Sequence, residues 1–201
     1  MDDDKNPIGM IQLVFATNNA HKLEEVQAVV GNKFRIRTLA DIGCTDDIPE
    51  TGATFEANAS QKSTYLYAKY GYNCFADDSG LEVAALNNEP GVYSARYSGT
   101  RDMEKNIDLL LQRLGDRPDR KARFRTVISL RIGEEEYFFD GEVEGEIGYG
   151  RQGGGGFGYD PLFTPYGYEQ TFAQMTAAEK NAISHRAIAV AKLADFLKVM
   201  Y

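Results

Sequence analysis

Two long strand-like segments follow one another in the middle of this 201-residue chain. They span residues 123–132 and 137–147, and the short segment 133–136 that separates them is typical of an antiparallel hairpin. Every second side chain of the first segment is suited to one buried face: Phe124, Thr126, Ile128, Leu130 and Ile132. The sequence therefore requires a sheet that is antiparallel at least in part.

Strands and helices alternate in the rest of the chain, as judged from the spacing of apolar residues. The predicted elements are strand 11–16, a helix with Leu23, Val26, Val29 and Val30 on one side, strand 34–38, helix 54–70 capped by Thr54 and ended by Gly71, strand 73–76, helix 103–114 ended by Gly115, and a last helix capped by Ser184. This pattern predicts an α/β fold with a mixed, twisted central sheet, flanking helices, and two lobes with a substrate cleft between them.

Composition supports a globular protein, because 43% of the residues are hydrophobic and 26% are charged. We expect a single domain over residues 10–201. Residues 1–9 include Met-Asp-Asp-Asp-Lys, which resembles a leftover protease tag, and Met10 is a plausible start. We expect this leader to take no part in the fold.

Charge and cysteine content exclude several functions. The net charge of -8 argues against general binding of nucleic acid, and no apolar run reaches the length of a membrane span. The N-terminus lacks the pattern of a secretory signal, so a cytoplasmic protein is expected. Two cysteines and two histidines are too few and too scattered for a zinc or disulfide framework.

A glycine-rich segment, residues 153–158, formally contains the G-x-G-x-x-G pattern of dinucleotide-binding proteins. Pro161 follows shortly and holds Asp160 in an extended conformation, so no helix opens there to bind a pyrophosphate. We reject the dinucleotide interpretation. Phe157 and Tyr159 then belong either to a loop that stacks on a planar base or to a bulged strand end with core aromatics.

The polar segment Thr17-Asn18-Asn19-Ala20-His21-Lys22 joins a predicted strand to a predicted helix. Backbone N–H groups and a lysine at such a point suit phosphate oxygens. The spacing is not that of a P-loop, and capping of the helix by Asn18 or Asn19 explains the same residues.

Three acidic residues are candidate ligands of a hard divalent cation. Asp77 and Asp78 directly follow a predicted strand, and Glu50 lies in a loop before a helix. Adjacent side chains of extended backbone point in opposite directions, so one of the two aspartates faces the cleft. An Asx turn or a solvated loop acid is the alternative for each.

Lys180, His185 and Arg186 lie near the start of the last helix. Arg186 presents fixed donors and no acceptor, which suits a carbonyl or phosphate oxygen. A solvated lysine and a histidine that only caps or packs are the alternatives.

Six motifs together resemble the inosine triphosphate pyrophosphatase family over residues 11–197. They are Phe15-Ala16-Thr17-Asn18-Asn19-Ala20-His21-Lys22, Glu50-Thr51-Gly52 with Phe55-Glu56-Ala57-Asn58-Ala59, Ala76-Asp77-Asp78-Ser79-Gly80-Leu81, Pro90-Gly91-Val92-Tyr93-Ser94-Ala95-Arg96-Tyr97-Ser98-Gly99, Gly156-Phe157-Gly158-Tyr159-Asp160-Pro161 and Lys180-Asn181-Ala182-Ile183-Ser184-His185-Arg186. The resemblance implies hydrolysis of dITP, ITP and XTP to the monophosphate and pyrophosphate, and a homodimer. Asn18 departs from the small residue that is common in the family.

The resemblance also implies roles for individual residues. Residues 17–22, with Lys62 and Lys180, would bind the triphosphate. Ser79, in the same motif as Asp77 and Asp78, would also contact the substrate. Asp78 would be the general base, and Mg²⁺ would be held by Glu50 and Asp78 with Asp77 nearby. The base would be surrounded by Phe157, Gly158, Tyr159, Asp160, His185 and Arg186.

Two other functions compete with this one. The first is a Maf-like pyrophosphatase for other nucleotides, and the second is a binding module without hydrolysis. Because donors at His185 and Arg186 suit the 6-oxo group of hypoxanthine or xanthine but not the amine of adenine, they favour the pyrophosphatase for dITP, ITP and XTP over the Maf-like protein. The three acids argue against a module that has lost catalysis.

Overall fold

The computed structural model describes residues 12–31 and 34–200. The expected leader 1–9, the proposed start Met10 and the first residue of the first predicted strand lie outside the described residues, and a single domain over 10–201 stays a prediction. None of the helices in the described ranges is long and apolar enough to cross a membrane.

Seven strands and five α-helices, with short 3-10 turns, make up the described part of the chain. The strands are β1 Gln12–Phe15, β2 Arg35–Arg37, β3 Cys74–Val83, β4 Glu89–Pro90, β5 Lys121–Ile132, β6 Glu135–Ile147 and β7 Phe163–Pro165. The helices are α1 Ala20–Val30, α2 Phe55–Tyr70, α3 Met103–Leu114, α4 Ala177–Ile183 and α5 His185–Met200.

All strands join one sheet in the order β2-β1-β3-β5-β6-β7, with β4 paired to β3. β1 runs parallel to β2 and β3, whereas β3, β5, β6 and β7 pair antiparallel in turn. The hairpin of β5 and β6 is confirmed, and so is the prediction of a mixed sheet.

The helices cover both faces of the sheet, and alternation along β3 decides which side chain meets which helix. Phe75 packs in the cluster that joins α1 and α5 to the sheet. Its neighbours Cys74 and Ala76 pack with Leu66 of α2 on the opposite face. Asp77 therefore points toward α1 and α5, and Asp78 points toward α2.

A second apolar cluster forms the other lobe, further along the same face of β3 that carries Phe75. Leu81 and Val83 pack there against Ile107 and Leu110 of α3, and against Phe124 of β5. The gap between the two clusters lies near the middle of β3.

The predicted end of the third strand was wrong. The strand does not stop at Ala76 but continues to Val83, so Asp77 and Asp78 lie inside a ten-residue strand, opposite Ile128 and Val127 of β5. Polar residues are tolerated there because each buried carboxylate has bonding partners from helices. Three elements, β4, β7 and α4, were not predicted.

The predicted helix ends are confirmed where a cap was named. The Thr54 side chain accepts the Ala57 N–H at the start of α2, and Gly71 ends the helix at a φ of 74°. The Ser184 hydroxyl accepts the Ala187 N–H at 3.1 Å and so caps α5. This cap sets the position of the next two residues, which belong to the candidate site.

Gly141 of β6 lies where the sheet touches α5. A Cβ at this position would lie 2.1 Å from the His185 carbonyl oxygen and 2.7 Å from the Ala189 nitrogen. We expect Gly141→Ala to lower the free energy of unfolding by about 1–3 kcal/mol because backbone must move. Gly154→Ala is the matched control, since nothing lies within 4 Å of its Cβ. Equal denaturant midpoints for the two variants would contradict this packing.

Candidate active site

A cavity of about 520 Å³ opens between the two lobes. Sixteen residues proposed from the sequence line it: Thr17, Asn18, Asn19, His21, Lys22, Glu50, Lys62, Asp78, Ser79, Phe157, Gly158, Tyr159, Asp160, Lys180, His185 and Arg186. Ala20 and Asp77 are not part of the lining. Ala20 begins α1, and Asp77 lies behind the cavity wall, where it bonds Lys22 and Arg186.

The loop from β1 to α1 is fixed by its own side chains. Asn19 Oδ1 accepts the Lys22 N–H at 3.3 Å, and the Asn19 N–H donates to Thr17 Oγ1 at 3.1 Å. Asn19 therefore caps α1, as one of the two interpretations predicted. Capping and ligand binding are compatible here, because the loop also lines the cavity.

Asp77 binds two cations from different helices. Lys22 Nζ donates to Asp77 Oδ1 at 3.1 Å, and Arg186 Nε donates to Asp77 Oδ2 at 3.2 Å. Burial raises the pKa of Asp77, but the charges of Lys22 and Arg186 outweigh it and hold that pKa below its usual value. Asp77 is therefore ionised, and its oxygens are occupied by Lys22, Ser79 and Arg186.

The same ion pairing continues through Glu25 to the glycine-rich loop. The Glu25 carboxylate contacts Arg186 and accepts from Lys180 Nζ at 2.8 Å. Lys180 Nζ also donates to Asp160 Oδ2 at 2.6 Å. A chain of alternating charges thus links the β1–α1 loop to the glycine-rich loop through buried side chains.

Arg186 retains donors for a ligand. It is 1% exposed, and three of its five N–H groups donate to Asp77, Glu25 and Ser79. The other two have no partner in the described ranges. Burial lowers the pKa of Arg186, and the Asp77 and Glu25 carboxylates outweigh that effect and raise it.

His185 is a neutral imidazole packed against Phe124. The rings are 4.8 Å apart and nearly parallel, at 11°. Burial, with the nearby Arg186 charge, lowers the pKa of His185 well below its usual value. Its Nδ1 atom is buried without a hydrogen-bond partner within residues 12–31 and 34–200.

The glycine-rich loop is held by Asp160, which accepts the Phe157 N–H at 2.9 Å. Gly156 is required beside it, because a Cβ there would lie 2.0 Å from Asp160 Oδ2. The Phe157 ring lies parallel to His21, at 5.2 Å and 12°. Tyr159 is instead a core residue whose hydroxyl donates to the Ser94 carbonyl at 2.8 Å. The core alternative thus describes Tyr159, and stacking of Phe157 on a planar base stays a prediction.

Lys180 lies at this end of the cavity. Its Nζ is 4.9 Å from the centre of the Phe157 ring and binds two carboxylates. The structure places Lys180 beside the glycine-rich loop, and its role in triphosphate binding stays a prediction. Burial raises the pKa of its partner Asp160.

Glu50 and Lys62 form the opposite end of the cavity. Lys62 contacts the Glu50 carboxylate and donates to the Asp77 carbonyl oxygen at 2.6 Å. Burial raises the pKa of Glu50, but the Lys62 charge outweighs it and the pKa lies below its usual value. Lys62 is 6% exposed, so a cation is fixed beside the candidate base.

Asp78 is buried next to this pair. Its Oδ2 accepts from Asn58 Nδ2 at 2.8 Å, and its Oδ1 accepts the Ser79 N–H at 3.0 Å. Burial raises the pKa of Asp78 above its usual value. A buried carboxylate of raised pKa that borders a cavity is suited to accept a proton.

A divalent cation fits this site in one arrangement. No group of three or more acidic, histidine or cysteine side chains converges on one point in the described part of the chain. Glu50 and Asp78 are two of the acidic residues that line the cavity, and Mg²⁺ is commonly held by one or two carboxylates together with substrate phosphates. Asp77 does not fit as a ligand, since its oxygens bind Lys22, Ser79 and Arg186.

Two residues that form hydrogen bonds with site residues were not assigned a role from the sequence. Glu25 lies one helical turn after Lys22, and that spacing on α1 is a detectable signal. Asn58 lies on α2 and gave no charge pattern to find. The cavity is also lined by residues of the second lobe: Ala95, Arg96, Arg101, Met103 and Asn106.

An α/β sheet with a cleft lined by cations, carboxylates and an aromatic loop is typical of a protein that binds a phosphorylated ligand with a planar group. The chain matches the Ham1 family over residues 13–196. It belongs to the Ham1 family. The resemblance drawn from the six motifs is confirmed.

Curated relatives cover nearly the whole chain. A dITP/XTP pyrophosphatase of Flavobacterium psychrophilum is 50% identical over 94% of this chain and 100% of its own length. One of Porphyromonas gingivalis is 50% identical, covering 94% and 98%. Among solved structures, the Ham1 protein of Staphylococcus aureus has a TM-score of 0.86 at 41% identity, covering 94% of this chain and 100% of that one.

Proposed function

We propose that this protein hydrolyses non-standard purine nucleoside triphosphates, dITP, ITP and XTP, to the nucleoside monophosphate and pyrophosphate. The observation that carries this proposal is one cavity that joins a cationic loop, a buried carboxylate and an aromatic loop. Relatives that are 50% identical over almost the full chain bear the name dITP/XTP pyrophosphatase.

The triphosphate binds at the β1–α1 loop. The loop residues Thr17 to Lys22 offer backbone N–H groups at a helix start, and Lys22 and Lys62 supply positive charge. Burial lowers the pKa of Lys22, and the Asp77 carboxylate opposes that effect. A local positive field at this end therefore attracts the substrate although the whole protein is acidic.

Asp78 accepts a proton from the attacking water. The water oxygen bonds to the α-phosphorus, the bond from this phosphorus to the bridging oxygen breaks, and pyrophosphate leaves. Glu50 and Asp78 would hold Mg²⁺, which when bound offsets the charge that develops on phosphate oxygens. Lys62, fixed beside Glu50, adds a further positive charge.

The base is read at the other end of the cavity. Phe157 stacks on the purine, and the free donors of Arg186 with the neutral His185 face its 6-oxo group. The amine of adenine leaves those donors unpaired, at a cost of about 1–3 kcal/mol each. Lys180, between Glu25 and Asp160, supports this end.

The position of the bond cleaved tests this mechanism. Hydrolysis of ITP in ¹⁸O-water should place the label in the monophosphate, with unlabelled pyrophosphate as the other product. Label in the pyrophosphate would contradict attack at the α-phosphorus. Hydrolysis to the nucleoside diphosphate and inorganic phosphate would contradict it as well. The same assay separates hydrolysis from a module that only binds nucleotide.

Two further proposals concern the setting of the enzyme. Its substrates arise in the nucleotide pool, so we place the enzyme in the cytoplasm, where it removes deaminated purines. We also propose a homodimer, which light scattering of the full chain tests by its mass.

Lys22→Met should raise KM for nucleoside triphosphates about tenfold, because one charged contact to phosphate is lost while the side-chain stem remains. The change should be equal for ITP and XTP, since Lys22 contacts no base. Lys105→Met is the control, because Lys105 is exposed on α3. Unequal changes for the two substrates would place Lys22 near the base.

A further inference from the structure

Asn58 joins the candidate base to the loop that carries Glu50. It lies on α2, is 1% exposed, and uses both ends of its amide. Its Oδ1 accepts the Gly52 N–H at 2.7 Å, and its Nδ2 donates to Asp78 Oδ2 at 2.8 Å. One side chain thus bonds both Asp78 and the loop that carries Glu50.

The orientation of this amide follows from its neighbours. Because the Gly52 N–H can only donate, the atom beside it must be the amide oxygen. The NH₂ group then points to the carboxylate of Asp78, which in its ionised form can only accept. A flipped amide would lose both hydrogen bonds, so the donor to Asp78 is fixed.

The loop that follows Glu50 approaches α2 so closely that position 52 has no room for a side chain. A Cβ on Gly52 would lie 2.7 Å from Ala57 Cβ and 2.9 Å from Asn58 Oδ1. The neighbouring Thr51 N–H is bound in the same way, since it donates to Gln61 Oε1 at 2.8 Å. Two amides, one helical turn apart on α2, therefore fasten the segment that follows Glu50.

Only one of these two amides reaches Asp78, the candidate general base. Gln61 bonds the loop alone, in an exposed position, whereas Asn58 bonds the loop and Asp78 in the interior. On the other carboxylate oxygen, the Ser79 N–H is the partner. Each oxygen of Asp78 therefore accepts one hydrogen bond, which fixes the plane of the carboxylate and leaves lone pairs directed to the cavity.

We infer that Asn58 is a positioning residue for hydrolysis, which aims the Asp78 carboxylate at the attacking water and keeps it in register with the Glu50 loop. This inference rests on the proposed function. Asn58 does not touch the substrate; it acts through Asp78. Misplacing a reacting group by about 1 Å can lower a rate about 100-fold, so the expected effect is on turnover.

Three variants separate aiming of the base from anchoring of the loop. Asn58→Leu removes both hydrogen bonds at similar size, and Asn58→Asp keeps an acceptor for the Gly52 N–H while it removes the donor to Asp78. Gln61→Leu is the matched control, because it releases a loop N–H without touching Asp78. We measure kcat and KM for ITP, the thermal midpoint, and the Kd of a non-hydrolysable ITP analogue.

If Asn58 aims the base, both Asn58 variants lower kcat about 100-fold with a Kd for the analogue within about threefold of wild type, whereas Gln61→Leu keeps kcat within about threefold. Retention of wild-type kcat by Asn58→Asp would overturn the inference, and the role of Asn58 would then be to anchor the loop. Failure of every Asn58 variant to fold would also overturn it, by assigning the residue to stability. An inactive wild type would instead refute the proposed function.

Discussion

Asp78→Asn is expected to lower kcat for ITP by about 10³-fold, because the variant keeps the size of the side chain but cannot accept a proton from water. Asp78 is 7% exposed and borders the cavity, so the change removes a carboxylate and opens no void. Nucleotide binding should persist, since the phosphate loop and Phe157 are untouched. Parallel measurement of turnover and of analogue binding checks both statements.

Asp140→Asn is the control for that variant. Asp140 is an exposed acid of β6 that pairs with Lys192 and has no contact with the cavity. It should retain wild-type turnover. Turnover in Asp78→Asn comparable to that of the control would remove Asp78 from the reaction and would shift the role of base to Glu50.

Arg186→Ala should lower the free energy of unfolding by about 3–5 kcal/mol, because it leaves the buried charges of Asp77 and Glu25 without their shared partner. The side chains of Arg186 and Asp77 are both 2% exposed. For a chain of this size the melting temperature should fall by roughly 10 °C. Calorimetry checks this value.

A second arginine provides the comparison. Arg151 also binds two carboxylates, of Glu104 and Asp108, but these are 71% and 68% exposed. Arg151→Ala should cost less than about 1 kcal/mol, since water replaces its partners. A similar loss of stability in both variants would mean that Arg186 does not stabilise the fold through the burial of its ion pairs with Asp77 and Glu25.

Base selectivity has to be tested with a milder change. Arg186→Lys keeps a positive charge for Asp77 and Glu25 but loses the flat set of donors that faces the base. The ratio of kcat/KM for ITP to that for ATP should fall about tenfold. A ratio equal to that of wild type would move the reading of the base to another residue.

The central sheet could be predicted because its signals are local. The hairpin of β5 and β6 follows from alternation around a short polar turn, and Thr54, Gly71 and Ser184 mark helix ends by capping. The end of β3 could not be predicted in this way. Asp77 and Asp78 look like turn residues along the chain, and only contacts with distant helices, such as Asn58 of α2, make them stable inside a strand.

The site shows the same division. Motif resemblance indicated the residues that line the cavity, but not which of them bind one another. The link from Lys22 through Asp77 to Arg186 spans 164 positions of the sequence, and no spacing rule predicts such pairs. Placement of Lys180 beside the glycine-rich loop, and of Asp77 behind the cavity wall, therefore required the structure.

The most direct test compares pyrophosphate release from dITP, ITP, XTP, GTP and ATP by the wild-type protein, with Mg²⁺ present or chelated. We expect release that requires the metal, is strong for dITP, ITP and XTP, and is at least about tenfold weaker for ATP. Equal rates for ITP and ATP, or release of single phosphate in place of pyrophosphate, would contradict it.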